Sequence, residues 1–257
     1  MRTTIFILTL LVSCFCAINA QDASEIAEKA AGAIDFDALE MAITLDIHDN
    51  RGNVRTRKIA VATRTFGETT KTLIRFLSPA DVRGTSMLIH DHENGGDDMW
   101  IYMPAIRRTR RIAGSERSAS FMGSEFTNAD MGSRDTDDLS HKLMGSETVK
   151  GKECWIVESV PETSEHAEEN GFSRMEAFID KASYHTYKVN YYDLDNELHR
   201  IMTIDDYRRQ SGASYFAFST EVQNVQNKRK SVMVVDNFQD GSQLDESNFE
   251  VQALENF

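Results

Sequence analysis

Residues 100–131 read WIYMPAIRRTRRIAGSERSASFMGSEFTNADM, and this is the stretch from which we infer the fold. Trp100, Tyr102 and Pro104 alternate with Ile101 and Met103, which is the period-two spacing of a β-strand. Proline cannot donate a hydrogen bond to a neighbouring strand. A paired ribbon should therefore end, or reach a sheet edge, at this point.

A basic cluster and a segment of small residues follow the strand. The cluster consists of Arg107, Arg108, Arg110 and Arg111. The next segment is rich in Gly and Ser, and its apolar residues are Phe121, Met122 and Phe126. This composition is typical of a mobile loop that carries apolar groups at its tip.

These residues resemble the LolA-like group of periplasmic outer-membrane lipoprotein-sorting proteins. The resemblance rests on a W-x-Y-x-P strand, an RR-x-RR cluster and an AGS-x-RS-x-SFMGS-x-F loop, in this order. It implies a mainly β fold, in which a curved antiparallel sheet forms an incomplete, half-open β-barrel covered by short helices and loops. It also implies a cavity for acyl chains, and we expect neither catalysis nor a cofactor.

The start of the chain has the pattern of a secretory signal peptide. Arg2 precedes an apolar run over residues 5–18, and Ala20 offers a cleavage point before Gln21. An alternative is lipidation at Cys14, which ends a lipobox-like Leu-Val-Ser-Cys sequence. We predict a signal peptide over residues 1–20, a single lipid-binding domain over residues 21–257 and a periplasmic location.

The net charge of −13 limits the possible partners. An acidic chain is poorly suited to nucleic acid, because such binding depends on neutralising phosphates. The same charge argues against a general affinity for anionic membranes. We expect a monomer whose partners are lipid or lipoprotein acyl chains, an inner-membrane transporter and an outer-membrane acceptor.

Alternating apolar and polar residues predict an antiparallel meander of about 10 to 11 strands. The first strand, over residues 39–47, places Leu39, Met41, Ile43, Leu45 and Ile47 on one side. Further alternating segments lie at residues 54–65, 71–78, 85–90, 99–103, 139–149, 153–160, 174–179, 184–194, 198–208, 215–226 and 229–238. Capping and apolar spacing also predict a helix over residues 22–34, and residues 245–254 suit a closing helical turn.

We assign three groups of site residues. The predicted cavity is lined by Met41, Ile43, Leu45, Ile47, Trp100 and Tyr102. The predicted lid, within residues 113–126, contains Gly114, Phe121, Met122, Gly123 and Phe126. Arg107, Arg108, Arg110 and Arg111 are either a partner-docking patch or a solvated basic face.

Other chemistry has little support in the sequence. The run His90-Asp91-His92-Glu93, with Asp97 and Asp98, could hold a metal, but Asn94-Gly95-Gly96 marks a hairpin tip where acidic residues are usually only solvated. Cys154 is interpreted as a buried structural thiol. No hydrolase, metalloprotease or nucleotide-binding motif occurs in the sequence.

The main functional hypothesis is a periplasmic carrier of lipids or lipoproteins. Two alternatives stay open: a lipid-sensing regulatory or accessory protein of an envelope transporter, and a hydrolase acting on lipid or glycan. The hydrolase would lose turnover when His90 or His92 is replaced.

Overall fold

A computed structural model of the chain describes residues 23–34, 36–92, 96–132, 136, 138–210 and 214–255. The predicted signal peptide, Glu93 and Asp22 lie outside the described residues. The strands are β1 Ala38–His48, β2 Val54–Phe66, β3 Thr69–Ser78, β4 Ser86–His92, β5 Asp98–Met103, β6 Arg108–Arg111, β7 Leu139–Val149, β8 Lys152–Pro161, β9 Arg174–Asp180, β10 Thr186–Tyr192, β11 Leu198–Arg209, β12 Tyr215–Asn224 and β13 Arg229–Asp240.

All these strands belong to one antiparallel sheet. Its order is β6-β5-β4-β3-β2-β1-β13-β12-β11-β10-β9-β8-β7, so neighbouring strands are consecutive in the chain except β1 and β13. β6 and β7 lie at the two ends of this order, and the sheet is not closed into a barrel. The predicted fold class is confirmed, but the described residues form 13 strands rather than 10 to 11.

One continuous row of mostly apolar side chains defines what we call the inner face. Residues directly opposite each other on neighbouring strands point to the same side of a sheet. The row runs through Ile47, Ser231, Val222, Met202, Val189, Ala177, Val157 and Leu143. The inner face therefore includes the predicted apolar side of β1 and extends across the second half of the sheet.

Two segments cover the inner face. The lid loop (residues 113–126) buries Phe121 and Phe126 against the apolar residues of β1 to β5. Helix α1 (residues 23–31) packs Ala23 and Ile26 against Val157 of β8 and Ile179 of β9. The described part of α1 agrees with the helix predicted from the sequence.

The C-terminal segment covers the opposite face, which we call the outer face. Its two 3-10 helices, Glu246–Phe249 and Val251–Glu255, occupy the predicted closing helical turn. Phe249 and Leu254 are buried there against Ala62, Leu73 and Leu88.

Helix α2 (Ser164–Asn170) connects β8 with β9. Thr163 caps its start, since the hydroxyl oxygen of Thr163 accepts a hydrogen bond from the backbone N–H of His166. Gly171 ends it in the left-handed conformation, with φ of 72°. Neither α2 nor the described part of α1 has the length and apolar character needed to cross a membrane.

Candidate functional site

A cavity of about 350 Å³ lies between the inner face of β7 to β11, helix α1 and the segment that follows the lid loop. This volume is within the range of roughly 300–1,000 Å³ that is usual for small-molecule pockets. Its apolar walls come from Ala27, Ala30, Ala31, Ala129, Leu139, Val157, Met175, Ala177, Ile179, Val189, Met202 and Ile204.

The shape of the cavity follows from side-chain size. Ala27, Ala30 and Ala31 line it from α1, and Ala177 lines it from the centre of β9. These short side chains leave space that Leu or Phe would fill. Met175 and Met202 add flexible thioethers, which adapt to ligands of irregular shape.

One part of the cavity wall is polar. His141 and Ser159 lie opposite each other on β7 and β8, and His141 Nδ1 is 2.9 Å from Ser159 Oγ. His141 Nε2 is 3.2 Å from the carbonyl oxygen of Thr136. Asp130 also lines the cavity. The wall therefore combines a large apolar area with a small set of hydrogen-bonding groups.

The lid loop is packed into the inner face through its aromatic residues. Phe121 and Phe126 are 1% and 2% exposed, and Met122 packs against the same cluster. The Phe121 ring lies 5.6 Å from the ring of Phe76 on β3. The loop thus fills the inner face of the first half of the sheet, while the space beneath the second half stays open.

Ionic contacts hold the lid loop and the segment that follows it. Arg117 Nη2 lies 2.8 Å from Asp97 Oδ2, next to the β4–β5 hairpin. Arg200 Nη1 on β11 lies 2.7 Å from Asp130 Oδ2, and it also donates to the carbonyl oxygen of Glu125 at 3.1 Å. Any opening of the lid must break or move these contacts.

The tip of the lid is tied to β13. Arg229 Nη2 donates a 2.9 Å hydrogen bond to the carbonyl oxygen of Gly123. The backbone N–H of Glu125 donates to Ser231 Oγ at 3.0 Å.

Burial raises the pKa of Asp97 to about 6, even though its partner Arg117 favours the charged form. The neighbouring Asp91 adds to this rise, because two carboxylates close together disfavour ionisation. The contact between the lid and the β4–β5 hairpin is therefore sensitive to pH.

The structure divides the six predicted cavity residues between two faces. Met41, Ile43, Leu45 and Ile47 are on the inner face, in the cluster that receives the lid. Trp100 and Tyr102 are instead on the outer face, packed with the C-terminal segment. This is a correction: alternation along β5 turns Met99 and Ile101, not Trp100 and Tyr102, toward the inner face.

The two predicted lid glycines have different surroundings. Gly123 has φ of +80° beside Met122 at +52°, so the lid tip is a left-handed turn that favours glycine. Gly114 instead lies close to α2, because a Cβ atom at Gly114 would be 1.8 Å from Glu169 Oε1. Gly114 thus permits close packing between the lid and α2.

The four predicted docking arginines do not form one patch. Arg110 Nη1 lies 2.6 Å from Glu116 Oε2, and Arg111 pairs with Asp98 on the adjacent strand. Arg107 is exposed in the β5–β6 turn and Arg108 is exposed at the start of β6, and no described carboxylate forms an ion pair with them. They remain available for a partner.

The histidines of the candidate metal site form other contacts in the structure. His90 Nε2 is 2.8 Å from the carbonyl oxygen of Phe249, and His92 Nε2 is 3.4 Å from Asp98 Oδ2. Within the described ranges, no three His, Cys, Asp or Glu side chains are placed to hold a metal ion. Cys154 is buried, and burial raises the pKa of its thiol.

The sequence analysis predicts a cavity, but not its position: none of the six residues predicted to line it lines the open cavity. Its walls come from β7 to β11, and their alternation was recognised, but nothing in it shows which face stays open. The three alanines of α1, at positions 27, 30 and 31, were the available signal, since small residues on a covering helix leave room beneath it.

Solved structures with the same fold are known. An outer-membrane lipoprotein-sorting protein domain from Vibrio parahaemolyticus superposes with a TM-score of 0.85 at 26% identity, covering 92% of this chain and 100% of that one. A DUF1329 family protein from Desulfovibrio piger gives 0.84 at 27% identity, covering 92% and 99%. A LolA superfamily protein from Nitrosomonas europaea gives 0.69 at 15% identity, covering 89% and 97%.

These likenesses confirm the resemblance inferred from residues 100–131. No match was found among curated proteins. A family model described as "Uncharacterized protein" matches residues 68–256, which is well over half of the chain. The chain therefore belongs to the family that this model describes, and it has the LolA-like fold of the outer-membrane lipoprotein-sorting domains.

Proposed function

We propose that the protein is a periplasmic carrier that binds lipid acyl chains and shuttles lipids or lipoproteins toward the outer membrane. The observation that carries the proposal is the cavity of about 350 Å³, which combines apolar walls with a few polar groups and lies beneath helix α1 and the segment that follows the lid loop. The names of two similar structures, a lipoprotein-sorting domain and a LolA superfamily protein, support it.

Burial of methylene groups supplies the affinity. Each buried methylene contributes about 0.8 kcal/mol, so a chain of about sixteen carbons gains on the order of 10 kcal/mol on leaving water. A lipid cannot cross an aqueous compartment unshielded at that cost. The cavity, together with the space that the lid loop can vacate, supplies the shield.

Loading and release require the lid loop to move. Phe121 and Phe126 occupy the inner face beside Met41, Ile43 and Leu45, where an acyl chain would also lie. We infer that an entering chain replaces these aromatic groups, so that the same apolar surface is covered in the empty and loaded states. The exposed Arg107 and Arg108 would dock the carrier to an acidic surface of a membrane partner.

A leader over residues 1–20 would deliver the protein to the periplasm. N-terminal sequencing of protein from a periplasmic fraction tests this part, with Gln21 as the expected first residue. A mature chain that starts at a lipidated Cys14 would instead support a membrane anchor.

Lipid binding is tested by mass spectrometry of organic extracts of the purified protein, and by displacement of a fluorescent fatty acid. We expect intact, uncleaved lipid in the extract, since a carrier does not alter its cargo. Ala177→Phe should fill the cavity and weaken fatty-acid binding at least about tenfold.

The matched control is Ala60→Phe, which adds the same group in an outer-face groove of about 300 Å³. Its affinity for the fatty acid should equal that of the wild type. Equal weakening by both variants, or no binding by the wild type, would contradict the proposal.

A further inference from the structure

Arg57 on β2 is a buried cation that forms no ion pair with any carboxylate in the described part of the chain. Its side chain is 7% exposed, and Nη1 has no hydrogen-bond partner. No described carboxylate lies within ion-pair distance of its guanidinium. Buried charges in proteins are normally paired, because an unpaired charge loses its hydration without compensation. An arginine in this state indicates a missing anionic partner.

The position of Arg57 relates it to the lid. Arg57 lies opposite Leu45 of β1, so it points to the inner face. Its guanidinium is 5.7 Å from the centre of the Phe76 ring, and the Phe76 ring is also in contact with Phe121 of the lid loop. Arg57 is therefore beside the apolar surface that the lid covers.

A second arginine, Arg55, stands two residues earlier on the same face. It lies opposite Ile47 and is exposed. A Cβ atom built on Gly123 would be 4.0 Å from Arg55 Nη2, so Arg55 is next to the lid tip. Residues two apart on a strand are separated by roughly 7 Å, which lets two guanidinium groups approach one phosphate from two sides.

The electrostatics of the pair favour binding of an anion. Burial, followed by the like charge of Arg55, lowers the pKa of Arg57. The carboxylate of Asp81 opposes this effect without forming an ion pair. Two cations thus lie on the same face of β2, close enough for Arg55 to lower the pKa of Arg57, and one anion bound to both would stabilise both.

We propose that Arg55 and Arg57 form an anion site beneath the lid tip, and that it takes the phosphate of an anionic lipid head group while the acyl chains lie along the inner face. This inference rests on the proposed function, since it assigns the head group of the cargo. It goes beyond that function because it predicts which lipids are preferred.

Two soluble lipids with the same chains test the site. Dihexanoylphosphatidic acid carries a bare anionic phosphate, and dihexanoylphosphatidylcholine carries a phosphate masked by choline. We expect the wild type to bind the phosphatidic acid at least about tenfold more tightly, as charge-assisted hydrogen bonds allow. In Arg57→Met this preference should vanish, while affinity for the phosphatidylcholine stays the same.

Two further variants control the experiment. Arg57→Lys keeps the charge but loses the forked donor, and should keep only part of the preference. Arg75→Met removes an arginine from the outer face, where Nη2 donates to the carbonyl oxygen of Ala253, and should leave the preference unchanged. Arg57→Met removes an unpaired buried charge, so its thermal midpoint should not fall.

An experiment with inorganic phosphate distinguishes anion binding at Arg55 and Arg57 from binding of the acyl chains. If phosphate raises the thermal midpoint of the wild type but not of Arg57→Met, while neither lipid binds, the anion site stands and the carrier function fails. If both lipids bind equally well, the carrier function stands and the anion site fails. A preference for phosphatidic acid that survives in Arg57→Met also overturns the site.

Discussion

Arg200 Nη1 on β11 lies 2.7 Å from Asp130 Oδ2, and the two side chains are only 3% and 2% exposed. This buried ion pair connects the segment that follows the lid loop to the second half of the sheet. Breaking it on one side leaves a charge in a dry environment. The pair therefore fixes the lid more firmly than the exposed contacts near the β5–β6 turn.

Replacing Arg200 by Met should destabilise the protein by about 3–5 kcal/mol, because the carboxylate of Asp130 stays buried without its partner. Urea denaturation at neutral pH measures the loss. The double variant Arg200→Met/Asp130→Leu should recover much of it, since no charge is left in the site. A double variant as unstable as the single one would show that the pair contributes through something other than charge.

Gly171 should not tolerate a side chain, whereas Gly151 should. Both have left-handed φ values, +72° and +78°, but a Cβ at Gly171 would be 2.7 Å from Ser118 Cβ, and a Cβ at Gly151 would meet nothing within 4 Å. We expect Gly151→Ala to cost about 1 kcal/mol from backbone strain alone. Gly171→Ala should cost about 1–3 kcal/mol more, because α2 and the lid loop must move apart. Equal costs in denaturation experiments would contradict the close contact.

Stability should fall with rising pH through the carboxyl group of Asp97. Its pKa is raised from 3.8 to about 6, so the folded protein holds this proton more tightly than the unfolded chain does. The stabilisation of the folded state by this proton is fully present below pH 3.8 and is lost as the pH rises past 6. Wild type should therefore lose stability relative to Asp97→Asn over this range, as measured by denaturation at several pH values.

Asp193 provides a control for that experiment, because its effect on stability should change with pH in the opposite direction. Hydrogen bonds from the Gln226 side chain and the Glu197 backbone lower its pKa. Wild type should gain stability relative to Asp193→Asn as the pH rises from below the ordinary Asp value. If the stability of wild type relative to each variant changed with pH in the same direction for Asp97→Asn and Asp193→Asn, the assignment to Asp97 would be contradicted.

Arg108 should promote encounters with acidic surfaces. The turn that precedes it also exposes Ile106, which is 61% exposed. Arg108→Glu should slow transfer of a fluorescent fatty acid to phosphatidylglycerol vesicles by about tenfold at low salt, and by less at high salt. The stability of the protein should not change, since no described carboxylate pairs with Arg108.

Lys152→Glu reverses a charge on the exposed β7–β8 turn, at the other end of the strands, and serves as the control. If this variant slows transfer equally, net charge alone governs the rate. The docking role of Arg108 would then be lost.

The strands could be predicted because alternation is a local property. The first strand was placed at residues 39–47 and is Ala38–His48 in the structure. The missed strand β6, Arg108–Arg111, has the sequence RTRR and offers no apolar alternation. It is paired only because β5 presents an open edge beside it.

The candidate site was less predictable because it depends on contacts between distant residues. Alternation separates Trp100 and Tyr102 from Met99 and Ile101, but it does not say which pair faces the lid. The partners Arg200 and Asp130 are 70 positions apart, and neither lies in a recognisable motif. The LolA-like motif predicted the fold, while the location of the open space required the structure, and the lid role of residues 113–126 stays a prediction.

The pairing of β1 with β13 determines when the molecule can fold. Ten residue pairs join Leu39–His48 to Lys230–Asp240, and this is the contact through which the two halves of the sheet meet. The hairpins on either side can form as soon as they are synthesised, but the complete sheet must wait for its last strand. The first and second halves of the sheet therefore stay separate until β13 has been synthesised, and their joining is the step that completes the fold.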